Sequence, residues 1–129
     1  MNDTSATARL TEFFAEIKDL AQFMDCDEVG VHTRGFQGET PLKIAVVRDD
    51  VRIVTDLLEA GADPNLPGED DCTPLHHAAS HGHREIIGLL LSHGASTSPV
   101  DIYGHTPADI ARILNYKESY ALLATNVAS

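Results

Sequence analysis

The tripeptides Thr40-Pro41-Leu42, Thr73-Pro74-Leu75 and Thr106-Pro107-Ala108 recur at an interval of 33 residues, and no other feature constrains the fold of this chain as strongly. Ala45, Ala78 and Ala111 follow the three threonines at one distance, Gly38 and Gly104 precede two of them, and Gly61-Ala62 returns as Gly94-Ala95. A unit of this length cannot bury its own apolar face, so repeated units are expected to stack on one another into a solenoid.

Each unit can be read from its residues. A threonine before proline fits a helix start, because the hydroxyl caps free N–H groups and proline at the first helical position gives up a donor that had no partner. Short first helices are predicted over 40–48, 73–81 and 106–114. Small alanines at 45, 78, 79 and 111 let the neighbouring unit approach. Gly82 then supplies a left-handed turn, and Asp49 and Asn115, which tolerate positive φ, stand at the equivalent points. Second helices are predicted over 50–59, 83–92 and 117–124, with apolar stripes Ile53, Val54, Leu57, Leu58 and Ile86, Ile87, Leu90, Leu91, ended by Gly61 and Gly94. Ahead of these units, Leu10, Phe13, Phe14, Ile17, Leu20, Ala21 and Met24 predict an amphipathic helix over 5–24, capped by Thr4 or Ser5. Its apolar face is expected to cover the first unit, with insertion into a partner's groove as the other use of such a helix.

The stretch from Thr73-Pro74-Leu75-His76-His77-Ala78-Ala79 through Gly82-His83 to Leu89-Leu90-Leu91 and Gly94-Ala95 closely resembles the ankyrin repeat. The resemblance implies an all-α ankyrin-repeat solenoid of stacked helix pairs with β-hairpin loops. Its units would be 35–67, 68–100 and 101–129, preceded by a capping segment 1–34 in which Val31-His32-Thr33-Arg34 is similar to a strand leading into a hairpin. It also implies a function, since the family binds other proteins with its hairpin tips and first helices. The family's contact positions fall on Phe36, Gln37, Glu39, Val47 and Arg48, then on Glu69, Asp70, Cys72, Ser80 and His81, then on Ile102, Tyr103, His105, Ile113 and Leu114. Asp71 joins them at the second tip, where the family often has glycine. For Ile113 and Leu114, packing within the last unit is the competing role.

Composition narrows the partner. Twenty acids against nine bases give the 129-residue chain a net charge of −11, which repels phosphate backbones and anionic lipid, so nucleic acid and membranes are poor partners and a basic protein a good one. With no tryptophan and 5% aromatics there is little from which to build a stacking platform. The polar N-terminus and the absence of a long apolar run predict neither a signal peptide nor a membrane span. Cys26 and Cys72, far apart, fit a reducing, cytoplasmic setting.

Seven histidines invite a search for chemistry. The resemblance gives His76 and His83 structural homes. His77 and His81 are four apart on one helix but have no third ligand at matching distance, Ser80 and His81 are adjacent and expected to diverge, and no nucleophile or phosphate-loop motif occurs. The expectation is therefore no catalytic residues, no metal, no cofactor and no small-molecule substrate. The chain reads as a protein-binding module, most specifically an acidic inhibitor or bacterial immunity protein that occludes a basic toxin or enzyme, the alternative being a general adaptor or scaffold domain of a larger protein.

Overall fold

A computed structural model describes residues 4–20, 23 and 28–125, and places seven α-helices and no strand among them. Ala21, Met24 and Cys26 lie outside the described residues. The helices are α1 (Thr4–Ile17), α2 (Pro41–Val47), α3 (Val51–Glu59), α4 (Pro74–Ser80), α5 (Arg84–Ser92), α6 (Pro107–Ile113) and α7 (Lys117–Thr125). Stacking runs in two layers, α2 on α4 on α6 and α1 on α3 on α5 on α7, which is the expected solenoid of helix pairs.

Each first helix begins as the Thr-Pro pairs predict. The hydroxyls of Thr40, Thr73 and Thr106 accept from the amides of Lys43, His76 and Asp109, and a proline opens every one of these helices. Ala45, Ala78 and Ala111 are fully buried where the units touch. The turns between paired helices pass through Asp49, Gly82 and Asn115 at φ of 58°, 66° and 65°. At Gly82 the left-handed conformation is reinforced by crowding, since a Cβ would stand 2.7 Å from the Tyr116 ring.

Four expectations need correction. The N-terminal helix stops at Ile17, where the Leu20 amide bonds to the Ile17 carbonyl and turns the chain so that Phe23 is fully buried. Thr4 and Ser5 stand within the first turn of that helix, not ahead of it, and the residues before Thr4 lie outside the described residues. Val31 and His32 form a turn in place of an extended strand, closed by the Thr33 amide donating to the Gly30 carbonyl at 3.2 Å and the Gly30 amide donating to the Thr33 hydroxyl at 2.8 Å. The loops expected as β-hairpins are short reversals closed by two or three backbone bonds, built on a 3-10 turn at Phe36–Gly38 and at Glu69–Asp71, with no strand ladder.

One pairing holds the N-terminal helix in place. Asp56 is buried in α3 at the register position of Leu89, and Arg9 of α1 reaches it with two bonds of 2.7 and 2.9 Å. Leu10, Phe13 and Ile17 bury their apolar face beside it, and Glu16 pairs with Arg48 at the edge.

Candidate protein-binding face

The three loop tips form one edge of the molecule. Each closes the same way: the amides of Gly35, Gly68 and Asp101 donate to the carbonyls of Glu39, Cys72 and His105 at 2.7, 2.9 and 3.0 Å. Adjacent tips are also joined. Arg34 donates through Nη2 to the Pro67 carbonyl at 2.7 Å, and the Ile102 amide donates to the Asp70 carbonyl at 3.0 Å. The rim is thereby continuous from the first tip to the third.

The side chains along it alternate in character. Phe36 at the first tip is 69% exposed, Glu69, Asp70 and Asp71 at the second are all exposed, and Ile102 and Tyr103 at the third are 56% and 70% exposed. The third tip has its own anchor in buried Asp101, whose carboxylate accepts from the amides of Tyr103 and His105 and is held below its ordinary pKa chiefly by the His105 bond. Sequence reading missed Asp101. The available signal was an acid standing where the other units have Gly35 and Gly68.

The remaining expected contacts divide. Gln37 sits exposed beside Phe36 at a φ of 60°, and Arg48 and His81 are exposed at the ends of the first helices. His105 is half-exposed below Tyr103. Glu39 is different: it is buried, and its carboxylate bonds Lys43 at 2.7 Å, one turn along, so it lies beneath the face. Cys72 is half-buried, and burial together with Asp101, Asp70, Asp71 and Glu69 pushes its thiol pKa up, which keeps it protonated and unreactive. Ile113 and Leu114 are exposed, so neither serves as packing within the last unit.

His76 is structural, as expected. The Thr73 amide donates to its Nδ1 at 3.0 Å, which leaves the proton on Nε2, and Nε2 donates to the His105 carbonyl at 2.9 Å across to the next unit. Burial holds this imidazole below its ordinary pKa, partly opposed by the His105 bond. His83 stacks on His81 with ring centroids 5.3 Å apart and places Nδ1 3.6 Å from Asp49. Against expectation, Ser80 and His81 converge, Oγ to Nδ1 3.1 Å, because both turn back to the His77 carbonyl. Among the described residues no three histidine, cysteine or carboxylate side chains are grouped to hold a metal.

The second tip is strained. Asp70 and Asp71 both adopt φ of 59°, and Asp71 occupies the position of Gly38 and Gly104. A non-glycine residue in this region costs on the order of 1 kcal/mol, part of which glycine returns through its freer unfolded chain. Asp71→Gly is therefore expected to stabilise the protein by about 0.5–1 kcal/mol in urea denaturation. A loss of stability would show that Asp71 makes a compensating bond.

Comparison with known proteins agrees with this architecture. "Ankyrin repeat and SOCS box protein 16" of Mus musculus is 42% identical over 89 residues, covering 63% of this chain and 20% of that protein. The "Nuclear factor NF-kappa-B p105 subunit" of Gallus gallus is 41% identical over 64 residues, 50% of this chain and 6% of that protein. "Protein fem-1 homolog C" of Homo sapiens is 30% identical over 93 residues, 62% of this chain and 15% of that protein. The chain thus corresponds to a fifth or less of the length of these relatives. The family model "Ankyrin repeats (3 copies)" matches residues 42–129. With the Thr-Pro caps, the left-handed turns and the two-layer stack, that match makes this chain a member of the ankyrin-repeat family, whose repeats bind other proteins.

Proposed function

We propose that this chain is a non-catalytic module that captures a basic protein through its tip rim, most specifically as an inhibitor or immunity protein that covers a basic toxin or enzyme. The observation that carries this reading is the rim itself: three exposed carboxylates between two exposed apolar tips, held in one line by the Arg34–Pro67 and Ile102–Asp70 bonds. The acids draw in a basic partner from a distance, and the exposed Phe36 and Tyr103 hold it once the partner covers them. A net charge of −11 disfavours nucleic acid and anionic membrane as the target, and among the described residues no helix is long and apolar enough to cross a membrane. The cytoplasm is the compartment that best suits a free Cys72.

A second reading has its own support. The relatives are matched over a small part of their length, which favours an adaptor domain that recruits a partner to other machinery. Adding the purified chain to a recovered partner separates the two, because an inhibitor abolishes the partner's activity and an adaptor leaves it intact.

Affinity capture from the native source, identification by mass spectrometry, and binding kinetics form the test. Neutralising the second tip as Glu69→Gln, Asp70→Asn and Asp71→Asn is expected to slow association about tenfold at low salt and to flatten its salt dependence. Tyr103→Ala is expected to speed dissociation by roughly 5- to 30-fold, or about 1–2 kcal/mol. If both variants fold and bind as the parent does, the rim is not the interface.

A further inference from the structure

The third unit departs from the second at positions the rim does not use. Where the second has Ser80, His81, His83 and Ile87, the third has Ile113, Leu114, Tyr116 and Tyr120, and all four are exposed, Ile113 and Leu114 by about half. Three polar surface positions have become apolar, and a buried position has become a tyrosine open to solvent. Between Tyr116 and Tyr120 lies a depression of about 130 Å³ floored by Ala111, with Arg112 and Lys117 at its edge. Large apolar side chains clustered on an exposed turn mark a surface that something covers.

Charge decides among the occupants. Residues 100–129 hold three acids and two bases, which leaves seventeen acids and seven bases in residues 1–99. Nearly all of the −11 therefore lies away from this end. Around the apolar turn, Arg112 faces Asp109, Arg84 of α5 pairs with Glu118, and Lys117 shares a groove with Asp49 and Glu85, so the charges nearly cancel and a second copy related by a two-fold axis meets little repulsion there. A basic partner gains nothing here that the second tip does not offer more strongly. Another copy of the chain meets a nearly neutral apolar surface and points its acidic units outward.

We propose that the α6–α7 turn is a self-association surface through which two copies pair end to end, with Leu114 and Ile113 of each packing on the tyrosine-walled depression of the other. The contact is small, so the dimer is weak, with a Kd on the order of 10–100 µM. Its salt dependence is diagnostic. Two chains of like charge repel, and screening relieves that repulsion, so salt tightens the dimer while it loosens any complex with a basic protein.

Sedimentation velocity of the intact chain tests this, from about 5 to about 200 µM, at roughly 50 mM and 500 mM sodium chloride. The expected result is a reversible monomer–dimer equilibrium several-fold tighter at the higher salt. Ile113→Ser with Leu114→His, which installs the residues of the second unit, is expected to be monomeric throughout with an unchanged circular dichroism spectrum. Tyr103→Ala is expected to dimerise as the parent does, which separates this surface from the rim. Should the double variant misfold, Tyr120→Gln alone must weaken the dimer at least threefold. A parent chain that stays monomeric at the highest concentration in high salt overturns the proposal, as does a dimer that weakens with salt or one that survives the turn substitutions.

Discussion

Replacing His76 with alanine is expected to lower the unfolding free energy by about 3 kcal/mol, because it leaves the Thr73 amide and the His105 carbonyl without their partner in a buried site. The imidazole accepts within its own unit and donates to the next, so the loss falls on the junction between the second and third units. For a chain of this size the melting temperature should fall by roughly 10 °C. His93→Ala is the control: that ring is exposed, and its removal should change stability by less than about 0.5 kcal/mol. Urea denaturation of the two variants at neutral pH is sufficient. A loss below about 1 kcal/mol for His76→Ala would show that the bridge carries little of the junction's stability.

Acidification is expected to destabilise the fold through His77. Burial, with the nearby Lys43 charge, lowers its pKa from 6.5 to about 4. Below pH 6.5 the unfolded chain takes up a proton that the folded chain refuses, so the stability that the neutral imidazole permits is present above pH 6.5 and drains away as the pH falls toward 4. Between pH 7 and pH 5, before most carboxylates titrate, the loss from this residue is about 2 kcal/mol. His76, also held low by burial, adds in the same direction. His77→Gln should lose about 2 kcal/mol less than the parent between pH 7 and pH 5, with the slope reduced by that amount. An unchanged slope would assign the acid sensitivity elsewhere.

The helix pairs were legible because their signals are local. A threonine hydroxyl capping the amide three residues on, a proline at the first position and a left-handed turn at Asp49, Gly82 or Asn115 are all determined within a few residues, and every predicted helix of the three units falls within one residue of its observed ends. The N-terminal helix was misjudged because its apolar spacing continues past Ile17 while the chain itself turns to bury Phe23. Arg9 and Asp56 could not be paired from sequence, since 47 residues separate them and neither breaks a local pattern strongly. At the rim, residue types gave the exposed Phe36, Tyr103 and acidic tip, but burial of Glu39 depends on Lys43 folding over it. Of the bonds that join one tip to the next, Ile102–Asp70 is wholly main-chain and Arg34–Pro67 ends on a main-chain carbonyl 33 residues away, so no local pattern announces either.

Those inter-tip bonds have a consequence for how such a molecule changes over time. The Ile102 amide and Asp70 carbonyl are main-chain atoms, and the Pro67 carbonyl is held by Arg34, so neither link uses the side chains at positions 36, 69, 102 or 103. Substitutions at positions 36, 69, 102 or 103 can therefore redirect recognition without reshaping the edge that presents them. An inserted residue cannot, because lengthening one loop breaks its alignment with both neighbours. New partners should thus be acquired by exchange of side chains at constant loop length, and the length itself should be the slowest property to drift.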